Sequence, residues 1–138
     1  MEYAVNKLNI ENASHEAINQ SASDHIINKL SCSLVGLSLA VHVMPKTLAY
    51  ESYGKGLIVE RFQCNYGLNE NYKNEVNDGN LKITGFDDDG NARIIEISNH
   101  RFFIATLFLP QLTSGPGMPH PLIISFVNAA IKFRDMKR

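Results

Sequence analysis

An α/β fold with a mixed, partly antiparallel sheet is what this sequence predicts, and three stretches carry the prediction. "SLVGLSLAVHVMP" alternates with a period of two: Val35, Leu37, Leu39, Val41 and Val43 fall on one face, and Gly36, Ser38, Ala40 and His42 on the other. "LKITGFDDDGNARIIEI" reads as two strands joined by an acidic turn containing Gly90. "PHPLIISFVNAAIKFRDMKR" has helical spacing, with Pro121 suited to the first helical position and basic residues at the end that favours them. Hairpins plus a terminal helix argue against an all-parallel or all-helical chain.

The remaining elements follow in order. "EYAVNKLNI" has helical spacing at its apolar positions and reads as the end of a helix. "ENASHEAINQSAS" is polar and reads as loop. "SDHIINKL" reads as a short helix capped by Ser23, with Ile26, Ile27 and Leu30 on one side. "AYESYG" reads as a helical turn closed by Gly54, and "GLIVERFQCNYGLN" as a second strand. "NENYKNEVNDG" reads as a helix capped by Asn69 and ended by Gly79. "RFFIATLFLP" is an apolar run that reads as a central strand. In the last helix, Leu122, Phe126, Ala130 and Phe133 are expected to line the packed face.

The totals narrow the function classes. A chain of 138 residues with net charge -1, 44% hydrophobic and 20% charged, fits one soluble globular unit over 1–138. The near-neutral balance gives no reason to expect nucleic acid or an anionic membrane as partner. The polar N-terminal stretch lacks an apolar signal core and nothing approaches a membrane span, so a cytoplasmic location is expected.

The candidate chemistry is sparse. Cys32 and Cys64 lie in no nucleophile motif and read as buried or half-buried structural thiols. The five histidines, His15, His25, His42, His100 and His120, show no metal-ligand spacing, and His120 reads as structural at the entrance of the last helix. Asp87, Asp89 and Glu96 match calcium-loop spacing around Gly90, but the first ligand position is Gly85, so a solvated hairpin turn is expected. "SGPGMP" lacks a Gly-Lys-Ser/Thr ending and reads as a rigid connector. Neither metal nor cofactor is expected.

Several segments together resemble the glutamine amidotransferase domain of CTP synthase, a class I amidotransferase. "ERFQCNYGLN" is similar to the family's E-R-H-R-H-R-Y-E-V-N. "HRFFIATLFLPQL" is similar to H-P-x-F-V-A-x-Q-F-H-P-E-F, and "SGPGMPHPLIISFVNAA" to S-x-P-x-x-x-H-P-L-F-x-G-F-x-x-A. "EYAVNKLNIENASHE" resembles the segment Y-A-R-x-V-x-x-x-x-x-A-N-S-x-E. These lie in family order over nearly the whole chain. The resemblance implies the C-terminal half of a three-layer α/β/α, flavodoxin-like amidotransferase domain.

In that family a cysteine on a G-x-C-x-G elbow attacks the glutamine amide, a histidine acts as base and a glutamate orients it. No G-x-C-x-G occurs in this sequence. The resemblance places Leu109 at the histidine and Gln111 at the glutamate. Leucine accepts no proton. Asn65 stands where the family has the arginine before a tyrosine that corresponds to Tyr66, and Cys64 borders the same segment. Asn65, Tyr66 and Cys64 are therefore candidates for a degenerate pocket. The expected function is an amidotransferase-like binding or regulatory module without glutaminase chemistry. The alternatives are one part of a split enzyme whose partner chain carries the nucleophile, or the relic product of a truncated reading frame. A half domain leaves sheet edge and apolar face uncovered, so a homo-oligomer, most simply a dimer, or a partner supplying the other half is expected.

Overall fold

The computed structural model describes residues 1–137. The chain runs α1 (Glu2–Leu8), β1 (Ala13–His15), β2 (Asp24–Lys29), β3 (Ser38–Val43), α2 (Leu48–Tyr53), β4 (Leu57–Arg61) and β5 (Tyr66–Leu68). A 3₁₀ turn (Glu70–Tyr72) then leads into α3 (Lys73–Asp78), followed by β6 (Leu81–Phe86), β7 (Ala92–Ile97), β8 (Ile104–Thr106), a second 3₁₀ turn (Pro110–Leu112) and α4 (Pro121–Met136).

The main sheet has five strands in the order β4-β3-β6-β7-β8, and its described strand pairs are antiparallel. A second sheet, β1-β2-β5, joins β1 parallel to β2 and β2 antiparallel to β5. The main sheet curls until its outer strands meet at one corner. There Phe62 bridges Phe108, and the Leu109 amide donates to the Arg61 carbonyl at 3.1 Å. Phe62 and Phe108 are fully buried, with ring centroids 5.8 Å apart at 79°. Such an edge-to-face pair adds about 1 kcal/mol to its area burial.

Val41, Val43, Ile58, Ile94 and the two phenylalanines form the core, covered by Ala49 of α2 and Leu122 of α4. Glu96, a buried carboxylate on β7, accepts the amides of Leu48 and Ala49 at 2.9 and 2.8 Å and the Thr84 hydroxyl at 3.0 Å. It thereby satisfies the free amides that start α2. Leu81, Ile83 and Ile95 alternate to the opposite face, where α1, α3 and the small sheet pack. Gly85 lies where the β6–β7 register shifts; a Cβ there would meet Ile94 Cγ1 at 2.6 Å, so the bulge needs glycine.

Several expectations hold. α1, the Gly54-capped α2, the Asn69 cap, the β6–β7 hairpin and α4 with Pro121 at its first position are all present. Others are corrected. Residues Asp24–Lys29 form β2 rather than a helix, because pairing with β1 and β5 outweighs the short helical pattern. The polar loop before it contains β1. The third strand begins at Ser38. Gly36, at φ 77, turns the chain ahead of it and leaves Val35 and Leu37 exposed. "GLIVERFQCNYGLN" is two strands in different sheets. "RFFIATLFLP" supplies only the short β8, last in its sheet rather than central. Gly79 ends α3 but at φ -84, not in the left-handed region. In α4, Leu122, Ser125, Ala129 and Phe133 are the more covered positions, whereas Phe126 is 58% exposed and Ala130 is exposed.

Candidate functional site

The segment after β8 makes the corner to which the sequence drew attention. Leu109 is half-buried and its amide is tied to β4; Pro110 then starts the 3₁₀ turn, which the Leu112 amide closes on the Leu109 carbonyl at 2.9 Å. Gln111 projects into solvent. The strand-to-turn geometry is therefore held by backbone bonds and by Phe108, and needs neither side chain at 109 nor side chain at 111.

Cys64, Asn65 and Tyr66 come together elsewhere, along an open cleft of about 570 Å³ that also includes His15, Ile27 and Leu107. Leu109 and Gln111 do not line it. The Asn65 carbonyl accepts the Leu30 amide at 2.8 Å. Tyr66 opens β5, and its ring lies 4.8 Å from that of His15. The Cys64 thiol is half-buried and points at the Leu107 carbonyl, 3.7 Å away. Burial pushes this thiol up, and neither Arg93 nor the local backbone offsets it. A thiol held protonated is a poor nucleophile. Cys32, by contrast, is exposed, which corrects the expectation of a covered side chain. It sits in a bend ahead of β3 rather than on a packed element.

The densest polar constellation is one that the sequence reading largely missed. Glu60 of β4 and His120 are both buried, and His120 Nε2 lies 2.8 Å from Glu60 Oε1. The Leu122 amide donates to His120 Nδ1 at 3.2 Å, so the ring proton sits on Nε2 and faces Glu60. The Tyr53 hydroxyl donates to the same carboxylate oxygen at 2.7 Å and lies 3.1 Å from His120 Nε2. Thr113 donates to Glu60 Oε2 at 3.2 Å, and Ser114 Oγ accepts the His120 amide at 3.1 Å. Burial, then the hydrogen bond to Glu60 and its charge, push the Tyr53 phenol far above its ordinary range. Each group here is spent on another protein group, so the cluster is a joint between β4, α2, the turn and α4. His120 at the start of α4 was legible in the sequence. The signal for Glu60 was its place in "LIVER", on the same face as Ile58.

The acidic turn is tied together by its own residues. Asp87 is engaged by Asn91 and by the Arg93 guanidinium, while Glu96 lies at α2. Burial opposes ionisation of Asp87, but hydrogen bonds from Asn91 and Arg93 outweigh it and hold the carboxyl below its usual range. Asp88 and Asp89 are solvated, as expected of a hairpin tip. Among the described residues no cluster of His, Cys, Asp or Glu is arranged to hold a metal, and no helix is long and apolar enough to cross a membrane.

No protein-family model matches the chain. Curated relatives do. A CTP synthase from Picosynechococcus is 34% identical over 94% of the chain, and one from Flavobacterium psychrophilum 31% identical over 98%. One from Chloroherpeton thalassium is 46% identical over 64%. This chain is a relative of the CTP synthase glutamine amidotransferase domain. The fold agrees: the glutaminase domain of Trypanosoma brucei CTPS, solved with bound acivicin, superposes with a TM-score of 0.88 over 95% of the chain at 23% identity. The chain spans 16–27% of the length of these CTP synthases and 55% of the solved glutaminase domain.

β8 ends the main sheet, and a shallow cleft beside it is lined by Phe102, Ile104, Thr106, Ile123 and Phe126. Ile124, Val127 and Ile131 continue the exposed apolar surface of α4.

Proposed function

We propose that this chain is a CTP synthase-related, amidotransferase-like binding or regulatory module with no glutaminase activity of its own. The observation that carries the reading is the corner at Leu109. By the family resemblance this is the position of the general base, and here stands a half-buried leucine whose corner is held by backbone bonds and the buried Phe108. Leucine cannot take a proton from a nucleophile, and Gln111 has no imidazole to orient. Cys64, Asn65 and Tyr66 would then line the remnant of a substrate pocket, with Cys64 held as a thiol.

The module works by association. The β8 end of the sheet and the exposed flank of α4 form the docking side, used either by a second copy in a two-fold dimer or by a chain carrying the rest of the domain. The same surface favours a second reading, in which the chain is one part of a split amidotransferase or hydrolase whose partner supplies the nucleophile.

The test is a glutamine hydrolysis assay on the purified chain, alone and with any stoichiometric partner, combined with sedimentation. The expected result is no turnover by the chain alone and an oligomer or complex that Val127→Asp weakens at least tenfold. Turnover by the chain alone would refute inactivity. A monodisperse monomer without a partner would refute association. Turnover only with a partner would establish the split enzyme.

A further inference from the structure

Between the main sheet and the small one lies a cavity of about 190 Å³, apart from the Leu109 corner and adjoining the Cys64 cleft, with which it shares Ile27, Leu68 and Leu107. Its walls come from every layer on that side: Ala4 of α1, Ile26 of β2, Leu68 of β5, Val76 of α3, Leu81 of β6 and Ala105 of β8. We propose that this cavity is a binding site for a compact apolar molecule about the size of benzene. Three observations carry it.

The first is size. Aliphatic cavities of about 150 Å³ are large enough to take benzene or xenon, and water gains little there without several polar partners. The second is chemistry. Arg93 is the charged residue on the lining, and its guanidinium is already paired with Asp87. The Tyr3 hydroxyl, also at the wall, already accepts the Leu81 amide at 3.1 Å. Polar atoms at the wall are thus engaged, and the wall selects against charge.

The third is access. α1 carries Tyr3 and Ala4 of the wall. It is held by the buried Ala4 and by Tyr3, whose hydroxyl packs so close to Gly79 that a Cβ there would meet it at 2.3 Å. The site is partly open to solvent, with Met1 and Ala105 exposed at its rim, so a ligand enters without displacing α1.

The test is a methyl-NMR titration of the purified full chain with benzene. The expected result is saturable shifts at the methyls of Ile26, Val76 and Leu81, with the exposed α4 isoleucines unmoved. Ala4→Phe should weaken binding at least tenfold while leaving the rest of the spectrum in place; Ala105→Leu is the second filling variant if Ala4→Phe does not fold. No saturable shift would overturn the proposal. So would shifts confined to Ile123, Ile124 and Ile131, or unchanged binding in the filled variant. Benzoate should bind at least tenfold more weakly than benzene; equal binding would overturn the apolar class.

Discussion

Replacing His120 tests whether the buried joint holds α4 to the sheet. His120→Ala removes the acceptor for the Leu122 amide and the donor to Glu60. Loss of a helix cap costs about 1 kcal/mol. Loss of a hydrogen bond to a buried carboxylate costs about 2–3 kcal/mol, because Glu60 keeps its desolvation without its partner. The total is about 3–4 kcal/mol, a large part of the stability of a domain this size. His120→Asn keeps a good capping residue but is too short to serve Glu60, so it should cost about 2 kcal/mol. Urea unfolding at one fixed protein concentration reads the difference. For a slope of about 1.5 kcal/mol/M, the alanine variant should move the midpoint down by roughly 2 M and the asparagine variant by roughly 1.3 M. If both variants fall together, the cap contributes nothing. If His120→Ala costs under about 1 kcal/mol, the network is not a joint and the reasoning fails.

Two further predictions follow from groups with perturbed acidity. Asp87 is depressed in the folded protein, so its contribution is fully present above the unfolded carboxylate value of about pH 4 and is lost as pH falls from there through the lower folded value. Asp87→Asn should cost about 2–3 kcal/mol at neutral pH by stranding Arg93, and the gap to wild type should narrow in acid melts below about pH 4; a gap independent of pH would count against the pair. Cys32 is exposed and Cys64 is both half-buried and raised, so iodoacetamide at neutral pH should label Cys32 first, as peptide mapping would show; faster labelling of Cys64 would mean an open, activated thiol.

What the sequence disclosed and what it hid separate along physical lines. Local signals were legible. Pro121 at a helix start, Gly54 after a helical turn and an acidic Gly90 turn between alternating strands depend on neighbours in the chain. The misassigned stretches depend on distant partners. Asp24–Lys29 is a strand because β1 and β5 flank it, and Ile104–Thr106 ends its sheet, a position no local pattern encodes. The packed side of α4 was misjudged because its apolar arc is wider than the groove it fills, and the exposed remainder looks the same in sequence. At the candidate site, Leu109 and Gln111 were singled out by the family resemblance alone. The Glu60–His120–Tyr53 cluster could not be read in advance, since its members meet only when the sheet curls.

That curl has a kinetic consequence. The corner joins Phe62 to Phe108, and the joint beside it ties Glu60 to a histidine 60 residues later. The β3–β4 and β6–β7 pairs, and the β3–β6 pairing that joins them, all precede the corner residue Phe108 in sequence, so four strands can pair before the seam between β4 and β8 closes. Contacts of such long sequence separation form slowly, and until they form the unpaired sheet edges are exposed to other chains. Truncations within α4 should therefore aggregate rather than merely lose stability.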